Sequence, residues 1–384
     1  MLRNLFTKTL ILFLTLISLC ACNDEPKVKI ANRTVLIYMA ANNSLGSMSY
    51  DNKDILEIQD AVTKGALGKN GRLMLFHAPI TGDQILYEVK NDGSLEIVRE
   101  YEGKEYAVSS NFMLQVFTDA KTWAPAEDYG LILWSHSLGW TQNGLDDEGP
   151  FATPQSWGED RYKTMNITTL SRVLKASPWS WIYFDCCYMG SVEVAYELAP
   201  VLPKMVASAS EIPLDGMPYD KNLPLFFLPE ADLVGAARNT YDYYNALEGQ
   251  ARTATIAVLD LSGMNDLAKA TIPIYQNSST VSPYSFSNLP LSLDQVPLFY
   301  DFGVYVKGLC STNDINAALL DSWEKAYDNV VLYHEATPYL WSYISLKDFT
   351  GMSTYIARNQ SEQTYRGYDT LKWYTDVARW LFDK

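Results

Sequence analysis

Apolar runs that stop abruptly at clusters of reactive side chains constrain this chain most. Trp181 to Phe184 is continuously apolar and breaks at Asp185-Cys186-Cys187, and helical spacing begins after Gly190, in Ser191 to Leu198. Upstream, Leu131 to Trp134 ends in Ser135-His136-Ser137-Leu138-Gly139-Trp140. A short continuous apolar run reads as a strand covered on both faces. Strand, sharp turn and helix together put a thiol at the carboxyl edge of a sheet, near the positive end of a helix. That position is expected to lower the thiol pKa and favour the thiolate. If the two runs are neighbouring parallel strands, His136 and Cys187 emerge side by side at the edge where open α/β sheets carry their sites.

Further runs repeat the pattern. Thr34 to Ala41, Leu73 to Phe76 and Met205 to Ala209 read as buried strands, and Ile85 to Val89 with Leu95 to Val98 as a hairpin. Helical spacing marks Asp51 to Val62, Ser110 to Lys121 and Thr168 to Ala176. Residues 141–165 show no clean period and read as a long loop. The alternation predicts a three-layer αβα sandwich with a mainly parallel sheet. After Tyr219 the texture changes. Helices are expected over Glu230–Leu247, near Met264, over Ile315–Leu332 and over Thr370–Phe382. Strands are expected over Thr253–Leu261 and Leu340–Leu346, and residues 278–295 read as an irregular connection. The expected organisation is a leader (1–21), a tether (22–33), a catalytic domain (34–230) and a C-terminal α+β subdomain packed on it (231–384).

Apolar residues make up 48% of the chain and charged residues 20%, enough for a packed core and too apolar for general disorder. A net charge of −15 argues against nucleic acid as a partner. The start of the chain reads as a targeting segment. Arg3 and Lys8 precede an apolar core, Leu10 to Leu19, that is too short to span a bilayer comfortably. Leu19-Cys20-Ala21-Cys22 resembles a bacterial lipobox, which makes Cys22 the lipidated first residue of the mature chain. The expected location is a lipid-anchored place in a bacterial envelope, at the outer membrane or the cell surface. With Cys20 and Cys22 accounted for, three of the five cysteines remain: Cys186, Cys187 and Cys310. Adjacent cysteines rarely bridge each other, so an unpaired thiol needs either reactivity or burial to explain it.

Three histidines limit the choice of partner. His77 ends a buried strand and His334 falls late in a helical pattern. His136 stands apart for its strand-end position and its Gly139-Trp140 turn. Phe184-Asp185-Cys186-Cys187-Tyr188-Met189-Gly190-Ser191-Val192-Glu193-Val194 is similar to the Phe-Asp-Ala-Cys-Leu-Met-Gly-Ser-Val-Glu-Val stretch of the clostripain-like cysteine peptidases. These are relatives of caspases, legumains and gingipains. Leu131 to Trp140 resembles that family's Leu-x-Leu-Trp-x-His-Gly-x-Gly-Trp. Val35 to Leu45, Thr253 to Met264 and Gly351 to Tyr355 resemble its first strand and its C-terminal portion. The chain departs from the family at Cys186 (Ala in the family), Ser137 (Gly), Asn42 (Asp) and Ala357 (Pro).

The resemblance implies a caspase-like sheet and an endopeptidase. Cys187 would be the nucleophile and His136 its partner. The backbone N–H groups of Cys187 and Ser137 would hold the oxyanion. Asp185 would floor an S1 pocket for Arg or Lys, and a helix N-cap is its other reading. Ser208, Ser210 and Glu211 are candidates for a pocket wall. Members are often activated by self-cleavage between His and Cys, for which Arg161 or Lys163 are candidates here. Some members need calcium. Asp146, Asp147, Glu148, Glu159 and Asp160 supply oxygen donors without EF-hand spacing, so no metal or cofactor is expected. The expected partners are peptide or protein substrates with a basic P1 residue, and the membrane through the lipid. The competing expectation is a catalytically impaired peptide- or glycan-binding surface lipoprotein on the same fold.

Overall fold

The computed structural model describes residues 30–142, 156–279, 291–292 and 298–382. The expected leader, Cys22, and Asp146, Asp147 and Glu148 lie outside the described residues. So does most of the 278–295 connection.

Sixteen strands are found among the described residues. The first five are β1 (Ala31–Ala40), β2 (Gly71–Ala78), β3 (Gln84–Val89), β4 (Leu95–Tyr101) and β5 (Ala126–Trp134). A small sheet follows, made of β6 (Ser137–Leu138), β7 (Ser156–Asp160) and β8 (Lys163–Met165). Then come β9 (Trp181–Asp185), β10 (Lys204–Ala207), β11 (Thr255–Asp260), β12 (Tyr300–Asp301) and β13 (Val331–Ala336). The short β14 (Tyr339–Leu340), β15 (Ile344–Ser345) and β16 (Ser353–Thr354) close the set. The main sheet has nine strands in the order β13-β11-β10-β9-β5-β1-β2-β3-β4. Its centre, β10-β9-β5-β1-β2, is parallel, and both flanks are antiparallel.

The principal helices, in chain order, are α1 (Ser44–Ser47), α2 (Tyr50–Thr63), α3 (Ser110–Trp123), α4 (Ile167–Ala176), α5 (Val192–Leu198), α6 (Tyr219–Phe226), α7 (Leu233–Asn245), α8 (Met264–Asn277), α9 (Phe302–Thr312) and α10 (Ala317–Val330). Alternation along β1 assigns them to two faces, since successive side chains point to opposite sides of a sheet. Val35, Ile37 and Met39 share a core with α2, α6 and α7. Leu36, Tyr38 and Ala40 share the other core with α3 and α4 and, farther along the sheet, with α5, α8, α9 and α10. This is the expected three-layer α/β sandwich. Gly130 permits close packing at its centre, because a Cβ there would lie 2.0 Å from the Trp181 ring.

The chain from Ala31 on forms one compact unit. The segment after residue 231 does not stand apart from the sheet, because it supplies β11 and β13. Four local expectations change. The expected strand Leu340–Leu346 is instead the β14–β15 hairpin, turning over residues 341–343. Part of the expected 141–165 loop is the β7–β8 hairpin, which is too short to show a period. His334 lies on β13, since helix α10 stops at Val330 and the chain alternates sides from Val331 on. The closing helix is broken into Lys372–Asp376 and a 3₁₀ turn, Ala378–Leu381.

Candidate active site

The register of the central strands brings the two motifs together. β5 and β9 are adjacent and parallel, with Trp134 paired to Asp185. The residues that follow each strand, His136 and Cys187, therefore leave the same edge of the sheet. Both line one cavity of about 370 Å³, together with Ser137, Asp185 and Glu211. Its remaining wall is largely apolar and includes Trp134, Ile212, Leu214 and Trp341.

The chain after β9 makes a tight turn. Tyr188 has a φ of 59°, a conformation that non-glycine residues seldom adopt. The turn is fixed by backbone bonds from Tyr188 N to Ser210 O (2.9 Å) and from Gly190 N to Ser208 O (2.7 Å). Helix α5 starts only at Val192, with Ser191 as its cap: Ser191 Oγ accepts from Val194 N at 3.2 Å. Cys187 is thus several residues from the helix end. The helix end therefore does not act on the thiol as expected, and its immediate surroundings favour the protonated form. Burial pushes the Cys187 thiol up to about 12; the Ile212 N–H, which donates to Sγ at 3.4 Å, pulls against this, and the Glu211 and Asp185 carboxylates add to it. Cys187 still reaches the cavity surface. Cys186 points into the core with 1% exposure, and burial raises its thiol pKa as well. Cys310 is also buried.

His136 is partly buried, and burial lowers its pKa below the ordinary imidazole value. Its Nε2 lies 2.7 Å from Ser44 Oγ. Among the described residues no hydrogen bond joins His136 to Cys187. Ser137 is not among the residues with positive φ, so the serine sits where the family's glycine does without backbone strain. Its hydroxyl turns inward, donating to Ser156 O and to Met189 Sδ (2.9 Å). Gly158 N donates to His136 O at 2.9 Å, and antiparallel pairing alternates bonded and non-bonded pairs. The N–H of Ser137, paired with Trp157, therefore faces away from β7.

Asp185 is 4% exposed and is no helix cap. Its carboxylate accepts from Met217 N (2.9 Å) and from the Tyr219 hydroxyl (3.0 Å). Burial raises its pKa to about 7. Gly216 allows this approach: it has a φ of +61°, and a Cβ there would lie 2.9 Å from Asp185 Oδ1. A second buried acid, Asp54 on α2, stands behind it. Asp54 accepts from Trp134 Nε1 at 2.7 Å, and burial together with the Asp185 charge raises its pKa to about 9. Sequence reasoning missed Asp54, which only its helical spacing could have signalled.

Glu211 lines the cavity, whereas Ser208 and Ser210 do not. Both serine hydroxyls meet Thr255 Oγ1, at 2.7 and 2.9 Å. Trp341, another residue the sequence did not signal, donates from Nε1 to Glu211 Oε2 at 2.7 Å. Arg161 is held by the buried Asp160 (2.9 Å) and lies over the Tyr106 ring, so it is poorly presented as a self-cleavage site. Among the described residues no group of three or more His, Cys, Asp or Glu is placed to hold a metal ion.

The description "Clostripain family" matches this chain over residues 37–382. The fold is similar to that of an inactive zymogen C11 protease from Parabacteroides distasonis, with 26% identity, a TM-score of 0.77, and 91% of this chain and 99% of that one covered. It is also similar to a secreted C11 cysteine protease from Bacteroides thetaiotaomicron in complex with an irreversible peptide inhibitor, with 25% identity, a TM-score of 0.76, and 90% and 99% covered. No curated protein matches. With these matches and a caspase-like sheet that opens a thiol, an imidazole and a carboxylate into one cavity, the chain belongs to the clostripain family of cysteine peptidases.

Proposed function

We propose that this peptidase is an endopeptidase that cleaves after Arg or Lys, with Cys187 as nucleophile and His136 as its proton carrier. The observation that carries the reading is the shared cavity, which Cys187, His136 and Asp185 all line. Cys187 Sγ attacks the scissile carbonyl. The thiol enters the step protonated, so its proton must be passed on as the S–C bond forms. The His136 ring takes it and delivers it to the leaving amine, and the C–N bond breaks. The same ring then draws a proton from water to hydrolyse the thioester. The N–H groups of Ser137 and Cys187 face the developing oxyanion.

Specificity follows from charge. Asp185 and Glu211 give the cavity two carboxyl groups against one imidazole. A cationic P1 side chain would pair with Asp185 and draw its proton off, since an opposite charge favours the ionised acid. Hydrolysis of arginyl and lysyl reporter peptides, with aspartyl ones left intact, is the expected outcome. The reverse preference refutes the S1 role of Asp185. The lipobox-like stretch before Cys22 supports a lipid-anchored envelope location. An unmodified Cys22 in the mass of the mature N-terminus would refute it.

A further inference from the structure

We propose that Ser44 is a positioning residue for His136, and that it selects which ring nitrogen carries the proton. The inference rests on the dyad reading above and deepens it. Ser44 Oγ lies 2.7 Å from His136 Nε2, and among the described residues no other side-chain hydrogen bond reaches the ring. With Nε2 engaged, Nδ1 is the nitrogen left to exchange a proton with the thiol and the leaving amine.

Ser44 is itself exposed, but the backbone that carries it is held in place from three directions. Ser44 opens α1 directly after Asn43, whose Oδ1 accepts from Leu45 N at 2.9 Å and caps the turn. Asn43 Nδ2 donates its two hydrogens to Ala40 O (2.8 Å) and Glu159 O (2.9 Å) and lies 3.2 Å from Ser135 Oγ. Ser135 Oγ in turn donates to Ala40 O at 2.8 Å and accepts from Glu159 N at 3.0 Å. The ends of β1, β5 and β7 are thus tied at one point, and Ser44 and His136 each lie one residue from it. Asn43 is 9% exposed and Ser135 3% exposed, so water competes little for these bonds. Backbone fixed this way on both sides of the Ser44–His136 contact limits the reorganisation needed at the moment of proton transfer.

The charge balance gives the partner a definite effect. The titratable groups around the cavity besides His136 are Asp185, Glu211, Cys187 and Tyr188, with Glu159 beside the Asn43 junction. Neither Cys187 nor any of these acids hydrogen-bonds the ring among the described residues. When His136 is protonated, Nε2–H donates to Ser44 Oγ, and that bond stabilises the imidazolium. When it is neutral, a hydroxyl that accepts from Nε2–H leaves the Nδ1 lone pair free, the arrangement the dyad reading requires, whereas a hydroxyl that donates to Nε2 would put the ring proton on Nδ1.

The test uses the full chain with ¹⁵N-labelled histidine, in wild type, Ser44→Ala, Ser44→Thr and Ser44→Asp, alongside kinetics on an arginyl reporter peptide. Wild-type ¹⁵N shifts should show the proton on Nε2. Ser44→Ala should lower the His136 pKa by about half a unit to one unit, and Ser44→Asp should raise it. Ser44→Ala should lower kcat roughly tenfold with KM within about twofold, and should move the acidic limb of the pH profile down by the same shift. Ser44→Thr, which keeps the hydroxyl, should restore both. Identical tautomer and titration in wild type and Ser44→Ala overturn the assignment, whatever the activity. If wild type is no faster than Cys187→Ala, the dyad reading falls, and the ¹⁵N comparison still decides whether Ser44 sets the tautomer.

Discussion

The indole of Trp341 donates to Glu211 Oε2 at 2.7 Å and so ties the β14–β15 hairpin to the loop after β10. Trp341 is further fixed by its own N–H, which donates to Thr253 Oγ1 at 2.9 Å. The pair forms one wall of the cavity. Trp341→Phe keeps the ring and removes the donor. It should raise KM for basic peptides by roughly ten- to a hundredfold, the size of one lost hydrogen bond to a charged group, with kcat nearly unchanged. Steady-state kinetics on the variant check this.

Asp185 should carry the preference for a basic P1 residue. Asp185→Asn keeps the size of the side chain and removes the charge. Losing one partner of a buried pair costs about 2–5 kcal/mol, so kcat/KM for an arginyl peptide should fall by roughly two orders of magnitude or more. A peptide with a neutral P1 should be affected far less. The pH dependence has a definite sign: with a pKa of about 7, Asp185 is increasingly neutral below that pH. KM for arginyl peptides should therefore rise as pH falls from 8 to 6.

The free protein should gain stability as pH falls from 8 to about 6.5. Burial raises the pKa of Asp54 to about 9, of Asp185 and Glu193 to about 7 and of Asp301 to about 6. An acid raised in the folded state binds protons that the unfolded chain does not, so folding is favoured as pH drops through the folded pKa toward the unfolded value of about 4. His136 and His334, both lowered by burial, act in the opposite direction, but mainly below their ordinary value of 6.5. The expected gain is on the order of 2 kcal/mol across that window. Urea melts at the two pH values measure it.

Cys186 and Cys187 should part company chemically. Cys186 is packed in the core and Cys187 opens to the cavity. Cys186→Ala removes one buried sulfur, should cost about 1 kcal/mol of stability, and should leave kcat/KM within about twofold. Alkylation of the native protein should mark Cys187 and spare Cys186, which peptide mapping by mass spectrometry can read.

The parts of the fold that were legible in the sequence are those set by burial on both faces of a strand. Val35 to Ala41, Leu131 to Trp134 and Trp181 to Phe184 are all inside, and continuous apolar runs say so directly. Their adjacency put His136 and Cys187 at one edge. What sequence could not show depends on surroundings. The thiol pKa follows first from burial of Cys187 and then from the opposing effects of the Ile212 N–H and the Glu211 carboxylate, both distant in sequence. Ser208 and Ser210 sit at a strand end as expected, yet both turn toward Thr255 on the next strand. Trp341 comes from a hairpin whose two-residue strands leave no periodic trace. The β13 strand was hidden because Val331 continues the apolar spacing of α10, so only the pairing of His334 with Ala257 reveals it.

The most direct measurement is the mass of the intact protein, then of its peptides, after brief exposure to an arginyl acyloxymethyl ketone at pH 7.5. The account predicts one adduct per chain, located on Cys187, slowed strongly in Asp185→Asn and absent in Cys187→Ala. An unlabelled Cys187, or equal labelling by an aspartyl analogue, would contradict it.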